Sequence, residues 1–453
     1  MDTLSGAILG EYRTAPDSRE NGDPSRTIMD KDGSVWLANR KNVGPNGFGT
    51  IVHIGLLENN QCEDRNGIPS IQTSTGLADI LPWANETGNR SVLTAEDECI
   101  VHYTEVNSAG TRHMSIDSDN IVWVSGTDIR NFDKVKGGRW DEPNSGNILV
   151  SYPSVGYGGY GGLMDRNGFI WSSKPLLRWD TSKPLNRTNG DPSGKSIGPL
   201  ARGKNWAGQK DFNSYAGLCI DSLGNVWNTA LDSYIVKYAS NGTYLDTYSH
   251  GGNDAQGCAV GLNDDVWVAH SLRGSSSVGH LANNGTYLGT VVVGSGPTGI
   301  AVNRVGKVWS TNFDSNTLSR IDPSMNAGVG AVDKTVDLGA GCDPDNYGDM
   351  TGREASVLQS PPTSGSWTVI HDYGSVLEPW GSIVWTAYTP VGSSLTVQVR
   401  NNDANPWTAV QNGQKLSNLN LTGQYLHVRV SFIRAPSGAS PVLRDLAIGR
   451  TVR

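Results

Sequence analysis

A chain of 453 residues with a formal net charge of −8 and no basic run excludes a nucleic-acid surface, which needs clustered Lys and Arg to neutralise phosphates. Fifty-six glycines and 14 tryptophans, with few Leu, Ala, Glu or Lys at helical spacing, exclude a helical protein and favour short strands joined by tight turns. No apolar run of about 18 residues is present to span a bilayer, and the length exceeds what one core usually supports, so two domains are expected.

The N-terminal stretch Met1 to Thr14 lacks the basic start and apolar centre of a signal peptide, so an exported protein would have lost its targeting segment from this sequence. Gly6 to Arg13 has the look of an outer strand and is expected to complete the last sheet of a closed ring, which removes an exposed edge. From there a unit recurs six times. It reads Ile28-Met-Asp-Lys-Asp-Gly-Ser-Val-Trp36, Ser115 to Trp123, Leu163 to Trp171, Cys219 to Trp227, Val260 to Trp267 and Val302 to Trp309. Each unit is an apolar strand, a polar turn rich in Asp, Asn and Gly, and a second strand opening on Val or Ile and Trp.

Third and fourth strands follow in several units, as in Tyr234 to Tyr238 and Asn241 to Tyr248. A four-stranded sheet of this kind buries its faces only against neighbouring sheets stacked around an axis. A period of 40 to 50 residues is the signature of that architecture. The fold class is therefore all-β, a β-propeller over residues 1–358. Each Trp is read as core between blades. The gap from Trp36 to Trp123 is about twice the others, so either a seventh, degenerate blade contains Trp83 or the first blade carries an insertion over about 58–97; the insertion is preferred. Residues 359–366 read as a linker. The strands expected at Trp367 to Ile370, Ile383 to Ala387, Leu395 to Arg400, Tyr425 to Phe432 and Val442 to Ile448 make 367–453 a small, jelly-roll-like β-sandwich.

The repeats resemble those of streptogramin B lyases and the wider NHL and SMP-30 group of six- and seven-bladed propellers, over roughly residues 6–340. The tail resembles a sandwich module appended to such propellers in bacterial exported proteins. The resemblance implies lactone opening by proton abstraction, with an inner-strand histidine, glutamates three residues after the Trp, and magnesium. Here the chain departs. Eleven residues before each Trp stand Ser25, Arg112, Tyr160, Ala216, Gln256 and Thr298, and three after stand Asn39, Gly126, Lys174, Ala230, His270 and Asn312. The base and the metal carboxylates are both replaced, which argues against that activity. The Glu, Asn and Asp set on one divalent metal that the SMP-30 lactonases need is not recognisable either.

The remaining candidates are weaker. Arg112, His113, Tyr160 and His270 are the residues an enzyme of different chemistry would use, although each histidine alone is more often structural. Tyr157 and Tyr160, in the run Gly156-Tyr-Gly-Gly-Tyr-Gly-Gly162, together with Gln256, are candidates to meet a sugar ring, the plain alternative being a glycine-rich turn. Asp64 and Asn66, with Asp97 and Glu98 returning beside them, suggest a damaged calcium loop or a turn-rich surface loop; calcium is the one cofactor the sequence suggests. Of five cysteines, Cys62 and Cys99 are the expected disulfide, which needs an oxidising, extracellular compartment. The recurring Asp30, Asp117, Asp165 and Asp221 are read as turn caps. The functional expectation is a secreted or cell-surface binding or scaffold protein for a glycan or other surface ligand. A lyase or lactonase at the channel mouth and a self-associating structural protein remain as alternatives.

Overall fold

In the first three units the recurring aspartate explains both the hairpin turn and the placing of the Trp. Asp117 Oδ1 accepts the backbone N–H groups of Asp119 and Ile121, while its Oδ2 accepts the Trp123 indole N–H at 3.0 Å. Asp165 does the same for Asn167, Phe169 and Trp171, and Asp30 for Asp32, Ser34 and Trp36. One carboxylate thus closes the turn and fixes the indole that must enter the core. In the fifth unit Gly261 replaces the aspartate, and the buried Trp267 Nε1 has no hydrogen-bond partner.

The computed structural model describes residues 1–19, 22–84, 92–185, 195–196, 215–272, 274–348, 350, 364–372, 374, 380–419, 421, 423–435 and 441–450. The chain divides into two units, Met1–Gln359 and Ser360–Arg453. The first holds six antiparallel sheets, each of four strands paired in chain order. Their inner strands are Pro24–Met29, Ala109–Ile116, Gly162–Met164, Tyr215–Ile220, Ala255–Val260 and Pro297–Val302, and each touches the next. This is an all-β propeller. The recurring tryptophans fill the gaps between blades: Trp171 packs with Leu218, Ile220 and Val236 of the next sheet, and Trp267 with Ile300, Val302 and Ile321.

The first sheet takes its third strand from Thr50–Ile54 and its fourth from Ile100–Glu105. Among the described residues between them there is no strand, only 3₁₀ turns and an isolated bridge from Trp83 to Ala95. Trp83 is buried against Val52, Ile100 and Tyr103 of that sheet. Two disulfides are present, Cys62–Cys99 as expected and Cys219–Cys258, which joins the inner strands of the fourth and fifth blades; Cys342 is free and exposed.

The expectation that residues 6–13 form an outer strand is corrected. They form no strand, and the sixth sheet has its own outer strand, Ala331–Asp337. The chain start instead reaches the sixth blade through carbonyls: Thr3 accepts from the Trp309 indole N–H and from Asn303 Nδ2, and Leu4 from Arg320. The seam between the sixth and first blades is filled by residues 343–348. Thr298 Oγ1 donates to the Pro344 carbonyl and Thr311 Oγ1 to that of Asn346, while Asn346 Nδ2 donates to Thr27 Oγ1 at 2.7 Å on the first inner strand.

In the second unit, Ser364–Asp372, Tyr425–Ile433, Ser394–Arg400 and Thr408–Val410 form one sheet in that spatial order, and Trp380–Tyr388 pairs with Val442–Arg450 in another. Both sheets contribute to one core around Trp380, Ile383, Val399 and Val428. Of the stretch read as a linker, 364–366 open the first of these strands and 359–363 lie outside the described residues.

In the third to sixth blades the backbone of the neighbouring strand or seam approaches so closely that a side chain is excluded at one position. A Cβ on Gly161, Gly217, Gly257 or Gly299 would meet the carbonyl oxygen of Ala216, Gln256, Thr298 or Asn346 respectively. Gly299→Ala is expected to strain the seam and destabilise the propeller by about 1–3 kcal/mol, whereas Gly76→Ala, with nothing within 4 Å of the added methyl, leaves it unchanged. Thermal melts of the two variants measure the difference, and equal melts would refute the packing argument.

Candidate functional site

The residue eleven before each Trp falls on or beside an inner strand. Arg112 and Tyr160 come together there. The Arg112 guanidinium carbon lies 5.3 Å from the Tyr160 ring centroid, and its Nη1 donates to the Tyr347 hydroxyl at 3.5 Å. Tyr347 belongs to the seam segment; its ring stacks on Tyr160 with centroids 6.0 Å apart, and the two hydroxyls are 3.2 Å apart.

Two further cations complete the cluster. Lys174, just after the second strand of the third blade, holds its Nζ 4.7 Å from the Tyr160 ring. Arg26, on the first inner strand, lays its guanidinium 3.4 Å from the Tyr347 centroid and 5.0 Å from that of Tyr160. Arg26 is only 2% exposed; its Nη1 donates to the Ser25 carbonyl, while Nε and Nη2 have no hydrogen-bond partner. Burial lowers the Arg26 pKa from its usual value, an effect opposed by the two tyrosines and Asp345. A cleft of about 400 Å³ opens beside it at the seam, lined in part by Arg26, Arg40, Phe313 and Asn346.

The charges do not balance. Asp345, the nearest carboxylate, is bound to Arg40 at 2.6 Å, and Arg40 also holds Asp23. Among the described residues, four cations therefore stand with three carboxylates, Asp23, Asp343 and Asp345, at the cleft and the largely buried pair of phenols. Partly desolvated charge of one sign attracts an anion. Of the two phenols, Tyr160 is the acidic one: burial pushes it up, but Arg26, the Tyr347 hydrogen bond, Arg112 and Lys174 outweigh burial and leave it below its ordinary value. Tyr347 moves the other way, chiefly by burial.

The other candidates lie elsewhere. His113 follows Arg112 on its strand and so faces the other way; it is fully buried, bonded through Nδ1 to Ser172 Oγ at 2.9 Å and through Nε2 to Ser115 Oγ at 3.0 Å. Burial holds it neutral, with its pKa lowered to about 3. His270 is likewise buried, against Ser277 Oγ and the His250 carbonyl. Neither histidine is hydrogen-bonded to Arg112 or Tyr160, and both are hydrogen-bonded inside the blades. Tyr157 packs on the core of the second and third blades, away from Tyr160. Gln256 sits on the fifth inner strand with its Oε1 buried and unpartnered.

In the insertion, Asp97 accepts from the Ser74 and Cys99 amides and the Thr73 hydroxyl, and Glu98 from the Arg65, Asn66 and Gln72 amides. Asp64 and Asn66 cap the Gly67 and Ile68 amides of their own turn. The oxygens read as calcium ligands are spent on backbone N–H groups. Among the described residues no three His, Cys, Asp or Glu gather as a metal would require.

No protein-family model matches the sequence, and no curated protein matches it. Solved structures do show likeness. Virginiamycin B lyase from Staphylococcus aureus aligns over 72% of this chain and 87% of its own, at 13% identity and a TM-score of 0.44. A streptogramin B lyase aligns over 74% and 90%, at 14% identity and a TM-score of 0.47, and the WD40 propeller domain of Doa1 over 74% and 88%, at 14% and 0.44. At such identities the likeness concerns fold, which the six sheets already establish.

Buried neutral histidines have a consequence at low pH. His113 is lowered to about 3, and His102 and His250 to about 4, all chiefly by burial. The unfolded chain, titrating near 6.5, binds more protons than the folded one between those values, so stability falls as pH drops from about 6.5 towards 4. Chemical denaturation across that range is expected to show the loss, with a shallower slope in His113→Gln.

Proposed function

We propose that this chain is an extracellular binding protein that holds an anionic saccharide, one bearing carboxylates, at the inner edge of the propeller without turning it over. The observation that carries the reading is the placement of Arg112 and Lys174, both partly exposed, on either side of Tyr160, with the unpartnered Arg26 behind. A guanidinium meets a carboxylate in a bidentate pair, an ammonium adds a point charge, and a phenol ring offers a face to the apolar side of a pyranose. Two disulfides suit an oxidising compartment.

Calorimetry of the full chain with trigalacturonate and with an uncharged trisaccharide tests this. The charged sugar is expected to bind and the neutral one not, affinity is expected to fall with added salt, and Arg112→Gln and Lys174→Gln are each expected to weaken binding about tenfold. Equal binding of both sugars, or variants that bind like the parent, would overturn the reading.

One observation favours a second reading, elimination from a carboxylate-bearing sugar. Tyr160 is acidified and sits beside Tyr347, an arrangement of a proton acceptor and a donor with cations to neutralise the carboxylate. Incubation with polygalacturonate and measurement of absorbance from a newly conjugated carbon–carbon double bond separates the two. The binding reading expects none; steady accumulation that disappears in Tyr160→Phe would replace it with a lyase.

A further inference from the structure

The cluster has a feature that anion binding alone does not explain: its cations are held together although, among the described residues, no carboxylate is bonded to Arg26, Arg112 or Lys174. Arg26 is enclosed, with two nitrogens unpartnered. Arg112 and Lys174 approach the same ring from the second and third blades, and Tyr347 approaches from the seam. Of the carboxylates at hand, Asp23 and Asp345 are engaged by Arg40. His113, on the opposite face of its strand, is neutral, and the Arg130 stem near Gly159 adds only positive charge. Gathering like charges around the buried Arg26 is unfavourable, and a negative charge beside it stabilises the set.

The one group within the cluster able to become negative while keeping its contacts is Tyr160. Its hydroxyl faces that of Tyr347, which can donate to it, and its ring is flanked by all three free cations. We propose that ligand binding at this site is proton-linked: Tyr160 is the built-in anion of the empty propeller, and an arriving carboxylate takes over that role and returns a proton to the phenol. The proposal rests on the anion-binding reading above and adds its regulation. The balance is simple. The empty site releases one proton from the Tyr160 Oη to solvent, and the occupied site takes one back, so the cluster carries the same total charge in both states.

Ultraviolet titration of the 15 tyrosines in the full chain tests the empty state without any ligand. One tyrosinate is expected to form ahead of the rest, to vanish in Tyr160→Phe, and to move to higher pH in Lys174→Gln, a substitution at a half-exposed position that leaves folding intact should the Phe variant misfold. Calorimetry with trigalacturonate, in two buffers of unlike ionisation heat above that early transition, is expected to show about one proton taken up per sugar bound. Affinity is expected to fall roughly tenfold per pH unit there. No early tyrosinate, or one that survives Tyr160→Phe, overturns the proposal. Binding with no proton uptake overturns the linkage while leaving the anion-binding reading standing, and failure of trigalacturonate to bind sinks both.

Discussion

Everything in the propeller depends on how tightly its inner strands are packed. At Gly161, Gly217, Gly257 and Gly299 the next strand's carbonyl occupies the space a Cβ would need, so these strands close up as far as backbone allows. The blades on that side are tied further by the Cys219–Cys258 bond. The first two inner strands are different. They carry Arg26 and His113 where the other four carry these glycines, and long cationic side chains and two phenols gather beside them. The site is thus placed by a backbone constraint satisfied on one side of the ring and relaxed on the other.

Much of the architecture was legible because the Asp-to-Trp unit is a local device with a fixed spacing. The same carboxylate that caps the turn receives the indole, so the pattern cannot drift without loss of both bonds. Counting eleven residues back from each Trp brought out Arg112 and Tyr160. Counting three forward brought out Lys174, noticed only as a missing glutamate, although its ammonium lies beside the Tyr160 ring. Arg26 escaped because it stands one place beyond the counted Ser25. Tyr347 escaped because the seam segment belongs to no repeat.

The misplaced candidates fail for equally physical reasons. His113 is a neighbour of Arg112 in sequence, and adjacent residues on a strand face opposite ways, so one reaches Tyr160 and the other the core. The acidic residues of the insertion sit near Cys62–Cys99 as their spacing suggests, yet a carboxylate close to a tight loop finds backbone amides before it finds an ion. Cys219 and Cys258 occupy nearly equivalent places in successive units, a signal that aligning the repeats against each other would have supplied.

The seam has a mechanical meaning. Five of the six blade junctions join inner strands directly, while the sixth is bridged by residues 343–348, which run on in sequence towards the second unit. A pull on the C-terminal end would therefore load the hydrogen bonds of Asn346 and the Arg40–Asp345 ion pair before it reached any sheet. Tyr347 lies within that segment, so the bonds that close the ring at the seam also hold the phenol that stacks on Tyr160.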